Sequence, residues 1–441
     1  MANVKSGRNP SRLSPARRQP RLHLLSESPR PWAMIPGDSA GPVALLDNEG
    51  LTRPNRERFR RFDPHRVSSP CYVVDEGGIA ANLRILDRVQ QEAGAKILLA
   101  LKAFALFALA PSIMRTLKGV CASGLYEARL GREVFGGEVH CFSPAYRQEE
   151  LEQILACADH VLFNSFGQWD RFQPLIQAAR RRWPGIHFGL RINPEHSEGW
   201  HPLYDPCAPH SRMGIPRAQF AGRGMEGIDG LHFHTLCEQD FPPFSRTLAV
   251  VEEGFGPWLG GLRWINFGGG HLITHADYQV DDLIRLIQEF RQRWDLEVYL
   301  EPGEAIALDA GVLVAEVLDI TWNGRDIAIL DVSASCHMPD ILEIPYRPAV
   351  QGAGQPGRWP YDYRLAGRTC LSGDILGDYS FPQPLQIGDR LLFHDMAVYT
   401  MVKNTTFNGL PLPAIALWNS DTDELRVIKQ FGYEDFRQRL S

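Results

Sequence analysis

K-I-L-L-A-L-K (96–102), G-V-C-A-S (119–123), E-V-H-C-F-S (138–143) and H-V-L-F-N (160–164) follow one pattern: a short, mostly apolar run closed by a polar residue. Runs of this length, apolar without strict alternation, are strands covered on both faces, as in a parallel sheet. Extending outward, the pattern recurs to give Ile97–Leu101, Gly119–Ala122, Glu138–Phe142, His160–Phe163, His187–Ile192, Gly230–Phe233, Arg263–Phe267 and Glu297–Leu300. Successive starts lie about twenty to forty residues apart, which leaves room for one crossover helix each. The segment Asp282 to Trp294 shows such a helix, with Leu283, Ile284, Leu286, Ile287 and Phe290 on one stripe. Eight βα units predict a (β/α)8 barrel, class α/β, over residues 70–305.

Beyond Ala305 the texture changes. Val312–Val317, Ile327–Val332, Arg390–His394 and Ala414–Trp418 are Val-rich runs broken by Gly, Pro and Asn, which predicts a C-terminal antiparallel β domain over 306–441. Pro70–Val74, ahead of the first barrel helix, is expected to lend that domain a strand. Residues 1–60 read as a basic, Pro-rich extension. Met1 to Arg30 carries seven Lys or Arg against Glu27 alone, with prolines at 10, 15, 20 and 29 that forbid a continuous helix, so disorder is expected.

The 441 residues carry 46 Lys plus Arg against 52 Asp plus Glu, a formal charge of −6, which argues against a nucleic-acid partner and suits cationic substrates. No apolar run is long enough to span a membrane. Eight cysteines at 71, 121, 141, 157, 207, 237, 336 and 370 form no C-x-x-C pair, which reads as reduced, cytoplasmic usage without a disulfide frame or zinc site.

A closed barrel carries its chemistry at the carboxyl ends of its strands. The residues there are Lys102, Ser123, Ser143, Asn164, Asn193 just beyond Arg191, His234, Gly268-Gly269-Gly270 and Glu301. A lysine against apolar walls has a lowered pKa and offers a neutral amine to a carbonyl. The first and eighth strands are neighbours, so Lys102 and Glu301 face one mouth, as nucleophile and carboxylate or as an ion pair. Gly268, Gly269 and Gly270 let backbone approach a phosphate, or make a tight turn; the dinucleotide-binding spacing is absent. His232 and His234 fall on one strand face, a spacing that also suits a metal-dependent barrel hydrolase. The later strand ends offer glycines and Glu301 in place of further ligands, so no metal is expected.

Taken together, A-L-K-A-F (100–104), H-F-H (232–234), F-G-G-G (267–270), E-P-G-E-A (301–305), C-L-S-G-D (370–374) and Y-T-M-V-K-N-T-T-F-N-G (399–409) resemble the fold-type III pyridoxal-phosphate decarboxylases, which include the ornithine and diaminopimelate decarboxylases. A-S-C-H-M-P-D-I-L-E-I-P-Y (334–346) and F-G-Y-E-D-F (431–436) are similar to the carboxynorspermidine/carboxyspermidine branch. The resemblance implies an alanine-racemase-like barrel plus β domain, with Lys102 carrying pyridoxal 5'-phosphate. It implies His234 stacked on the cofactor ring, Glu301 at the ring nitrogen, and Gly268, Gly269, Gly270 and Tyr399 around the phosphate. Cys370, as the acid that reprotonates the product carbon, and Asp374 are expected to reach in from the second subunit of a homodimer.

The departures point to a substrate class. Glu304 stands where ornithine and diaminopimelate decarboxylases carry Arg after E-P-G, which removes a cationic phosphate clamp. Leu371 stands where relatives often place an acid, while Asp340 and Glu343 add carboxylates. Glu304, Asp340, Glu343 and Asp374 are therefore expected to bind the ammonium groups of a long polyamine. The expected reaction, in polyamine biosynthesis, converts carboxyspermidine or carboxynorspermidine to spermidine or norspermidine plus CO2. The alternatives are a diaminopimelate or ornithine decarboxylase and, further off, a non-catalytic regulatory homologue.

Overall fold

The computed structural model describes residues 58–199, 202–343 and 346–441. Strand β1 (Cys71–Asp75) is followed by the parallel strands β2 (Lys96–Ala100), β3 (Gly119–Ala122), β4 (Glu138–Phe142), β5 (His160–Phe163) and β6 (His187–Asn193). A two-residue strand β7 (Ile215–Pro216) flanks β6, and β8 (Gly230–His232), β9 (Trp264–Asn266) and β10 (Glu297–Leu300) complete the set. The order β5-β4-β3-β2-β10-β9-β8-β6 closes on itself through β5 and β6, paired from His160↔His187 to Phe163↔Leu190. This is the expected (β/α)8 barrel, and each predicted run matches a strand to within a residue at either end.

Local chemistry sets the element ends. The helix Glu76–Ala93 starts because the Asp75 carboxylate accepts from the N–H groups of Gly77 and Gly78, and it stops at Gly94 in the left-handed region (φ 69°). The helix Val280–Trp294 buries Leu283, Ile284, Ile287 and Phe290, as its apolar stripe predicts.

The second sheet is built from β11 (Gly311–Trp322), β12 (Asp326–Leu330), β13 (Tyr361–Ala366), β14 (Ile375–Phe381), β15 (Arg390–His394), β16 (Ala414–Trp418) and β17 (Leu425–Lys429). β1 joins it as expected, antiparallel to β11 and parallel to β16. The expectation of an all-antiparallel domain is corrected: β12 and β13 are also parallel, so the sheet is mixed. A parallel pair needs a crossover, and the connection after β12 carries the short helices Ala334–His337 and Asp340–Glu343, the second of which brings Asp340 to the cavity.

The expected disorder of 1–60 falls almost wholly outside the described residues. From Arg58 onward the chain is packed. Phe59 and Phe62 are buried against Trp418, with ring centroids 5.4 and 5.2 Å away, and Arg58 Nη1 donates to Ser420 Oγ at 2.6 Å. Among the described residues no helix is long and apolar enough to cross a membrane, and all eight cysteines are free.

Candidate active site

A cavity of about 800 Å³ opens at the carboxyl ends of the barrel strands, lined by Lys102, Arg191, His234, Gly270, Glu301 and Glu304 from the barrel and by Asp340, Tyr399 and Lys403 from the second domain. Lys102 lies two residues past β2. Its amine is open to the cavity but enclosed by protein elsewhere, and that desolvation, joined by the Arg191 guanidinium, pulls its pKa below the usual lysine range.

His234, two residues past β8 and on the same face as His232, sits with Nε2 3.4 Å from Lys102 Nζ. The N–H of Gly269 donates to His234 Nδ1 at 3.0 Å, so a neutral imidazole must carry its proton on Nε2. Burial holds the ring well below its ordinary pKa, so it is neutral. The Nε2 side of the ring therefore faces the Lys102 amine, whose own pKa burial lowers.

Glu301 ends β10. Burial opposes its charge, but His232 Nε2 at 3.3 Å, nearby His140, and Asn266 Nδ2 donating to Oε1 at 2.7 Å outweigh it and hold the carboxyl at about 2. Asn266 also accepts from the N–H of Gly268 at 2.8 Å, so one side chain ties the glycine loop to Glu301. Arg191, with its guanidinium over the Phe142 ring at 4.6 Å and its Nη2 donating to His234 O at 3.0 Å, is pushed down to about 10 by burial.

The glycine loop is tighter than a phosphate cradle alone demands. A Cβ on Gly269 would stand 2.1 Å from Glu301 O, and one on Gly270, which has φ 87°, 1.9 Å from Leu236 O. The N–H groups of Gly268 and Gly269 serve Asn266 and His234; of the three glycines, Gly270 lines the cavity. Ser123, Ser143, Asn164 and Asn193 do not line it. Asn164 instead braces a loop through Arg212 O and the N–H of Gly214.

Two expectations change at the acids. Asp340 and Glu343 both accept from Lys403 Nζ, Asp340 Oδ1 at 2.5 Å, so neither is an open substrate ligand. Asp374 is buried outside the cavity lining, and its oxygens accept from Ser333 Oγ, the Ala334 N–H, and the N–H and Oγ1 of Thr369. Saturated by its own chain, it shapes the loop that presents Cys370, which is exposed and lies outside the cavity lining. Sequence reasoning missed Asp205, Glu238 and Asp395, loop acids that also line the cavity. Their segments lack periodicity, and only the fold brings them together.

The metal alternative meets a geometric obstacle. Among the described residues the donors spaced for an ion are Glu138, His140 and His160, at the opposite end of the barrel strands. The two rings are stacked at 3.8 Å and 9°. An ion shared by parallel rings would lie out of both ring planes, away from the nitrogen lone pairs. Glu138 is instead bound to Lys96, His140 and the Tyr299 hydroxyl.

The site as built offers an amine whose pKa burial lowers, a carboxylate held ionised, and a neutral imidazole beside the amine at one barrel mouth. These are the complements of an electrophilic, protonatable aromatic cofactor, and the residues fit pyridoxal phosphate. Barrel, mixed sheet and site thus define a pyridoxal-dependent decarboxylase. The family model for the C-terminal sheet domain of pyridoxal-dependent decarboxylases matches residues 71–397. The carboxyaminopropylagmatine decarboxylase of Synechocystis sp. is 46% identical over 85% of this chain and 96% of its own. The carboxynorspermidine/carboxyspermidine decarboxylase of Campylobacter jejuni is 40% identical over 85% of this chain and 99% of its own. The crystal structure of carboxynorspermidine decarboxylase from that organism, complexed with norspermidine, superposes with a TM-score of 0.77 at 39% identity, covering 85% of this chain and all of that one. The chain belongs to the carboxynorspermidine/carboxyspermidine decarboxylase family.

Proposed function

We propose that this chain binds pyridoxal phosphate on Lys102 and removes the α-carboxylate of carboxynorspermidine or carboxyspermidine, giving norspermidine or spermidine and CO2. The carrying observation is the pairing of a desolvated amine with an ionised buried carboxylate in a cavity rimmed by acids. When bound, the cofactor supplies an electron sink for the pair left as the α C–C bond breaks. Glu301 would keep the ring nitrogen protonated, His234 would cover the ring face, and Gly270 and Tyr399 would border the phosphate, with Gly268 and Gly269 setting the loop. Burial raises the Tyr399 hydroxyl pKa, with Glu304, Glu238 and Asp340 adding to it, so it stays protonated and can donate.

Glu304, Glu238 and Asp395 draw ammonium groups toward the site and disfavour a substrate with a distal carboxylate. Diaminopimelate decarboxylases match less of the chain, as with the 28% identity over 53% of it for that of Deinococcus radiodurans. Carboxyaminopropylagmatine, with a guanidinium in place of the terminal ammonium, is the second reading, favoured by the 46% identity noted above. Cys370 is exposed and lies outside the lining of its own chain's cavity, which suits a homodimer in which a second copy completes each site as proton donor. Free cysteines throughout suit a cytoplasmic setting.

The test is CO2 release from carboxynorspermidine, carboxyspermidine, carboxyaminopropylagmatine, meso-diaminopimelate and ornithine. Preference for the first two supports the reading; efficient turnover of diaminopimelate would overturn it.

A further inference from the structure

His232 ends β8 and His234 follows two residues on, yet the two rings differ at Nδ1. That of His234 accepts the N–H of Gly269 at 3.0 Å, so it has no lone pair left for a proton. That of His232 is buried and meets no hydrogen-bond partner among the described residues, and the residue as a whole is 2% exposed. A buried ring nitrogen without a partner calls for a role.

The other nitrogen of the ring points to it. β9 lies between β8 and β10, with Asn266 in register with His232 on one side and with Tyr299 on the other. Glu301, two residues beyond Tyr299, meets both side chains: Oε1 accepts from Asn266 Nδ2 at 2.7 Å, and Oε2 stands 3.3 Å from His232 Nε2. Asn266 is itself fixed, since its Oδ1 accepts from the N–H of Gly268 at 2.8 Å, so it orients the carboxylate but brings no charge. The His232 contact is electrostatic and not a directed hydrogen bond. An ionised carboxylate against Nε2 favours a proton there, which leaves Nδ1 bare and able to accept a second. The titratable groups facing the ring are Glu301, Arg191 from β6, Lys102 beyond β2 and His234; from β4 the Phe142 ring packs at 5.8 Å. Burial, Arg191 and Lys102 oppose a charge on His232 and Glu301 favours it, so the ring is neutral at neutral pH and charges only on acidification.

Resting on the pyridoxal phosphate reading above, we propose that His232 is a positioning residue for Glu301: on acidification the pair's first proton goes to His232 Nδ1, and the carboxylate that meets the cofactor's ring nitrogen keeps its charge. Asn266 sets the direction of that carboxylate and His232 its ionisation. The two protonation steps belong to the pair, and only the second neutralises Glu301.

The first test needs no cofactor and no altered function. In protein carrying 13C-labelled glutamate carboxyls and 15N-labelled imidazoles, with signals assigned through His232→Gln and Glu301→Gln, NMR should show His232 protonated on Nε2 alone at neutral pH. As pH falls, Nδ1 should gain its proton before the Glu301 carboxylate loses its charge. A Glu301 signal that titrates first, or a His232 proton on Nδ1 at neutral pH, would overturn the proposal. His232→Gln, whose amide can still donate toward Oε2 but cannot take up a proton, should move the acid midpoint of Glu301 upward by about one pH unit or more. At mildly alkaline pH, His232→Leu should weaken pyridoxal phosphate binding about tenfold, and His232→Gln should recover most of that loss. In the loaded protein, the visible absorbance should persist to lower pH with His232 than with Gln in its place; coincident acid limbs would overturn the proposal. If the unmodified protein shows no such absorbance at any pH, the cofactor reading fails, and the order of protonation in the cofactor-free protein still decides the role of His232.

Discussion

Residue by residue, the proposed reaction rests on two ionisations moved in the direction the chemistry needs. Lys102 should be indispensable: Lys102→Ala is expected to lose both the visible absorbance of bound pyridoxal phosphate and measurable turnover, checked by spectrophotometry and CO2 release. Glu301 offers a sharper check. Its folded pKa of about 2 lies below the reference 4.5, so its ionised form stabilises the fold fully above pH 4.5. That contribution fades as pH falls toward 2, and its upper bound is roughly 3 kcal/mol. Glu301→Gln lacks it, so the melting-temperature gap to wild type, measured without cofactor, should narrow across that window. Turnover of Glu301→Gln should fall about 100-fold or more, as expected for losing the charge that tunes the cofactor. Both residues were legible because each closes an apolar strand run. The pairing of Asp340 and Glu343 with Lys403 was not, since nothing periodic links residues sixty positions apart that meet only through a crossover.

Among elements, the β9 loop shows how far a motif reading reaches. Three consecutive glycines suggested a phosphate turn, and they do follow a barrel strand. The structure adds that the loop is pressed onto Glu301 O and Leu236 O, so there is no room for even one methyl group. Gly270→Ala combines a left-handed φ with a 1.9 Å clash and should cost about 2–4 kcal/mol. Gly222→Ala, at φ 73° with nothing within 4 Å of the added carbon, should cost about 1 kcal/mol. Thermal melts of the two variants check the difference, and equal losses would mean that backbone strain alone governs the loop. The barrel strands were legible because both faces are covered, which turns them into continuous apolar runs. The parallel pairs of the second sheet were not, because strand direction is set by where a crossover returns. A Val-rich run reads the same in either orientation.

At the scale of the whole molecule, the residues proposed for the two halves of the chemistry are separated within one chain. Lys102 and Glu301 open onto the cavity, while Cys370 is exposed on a loop whose Asp374 is fully engaged inside its own β domain. If a second copy completes each site, Lys102 of one chain works with Cys370 of the other. Lys102→Ala and Cys370→Ala chains, each inactive alone, can then complement one another. A hybrid dimer holds one site with both residues intact and one with neither. Equal mixing with free exchange makes half the dimers hybrids, so about a quarter of the unmodified activity should return. Native mass spectrometry of the mixture confirms exchange independently of activity. Hybrids formed in that proportion without recovered CO2 release would place Lys102 and Cys370 in the same subunit's site, and the exposed Cys370 loop would then have to move to reach it.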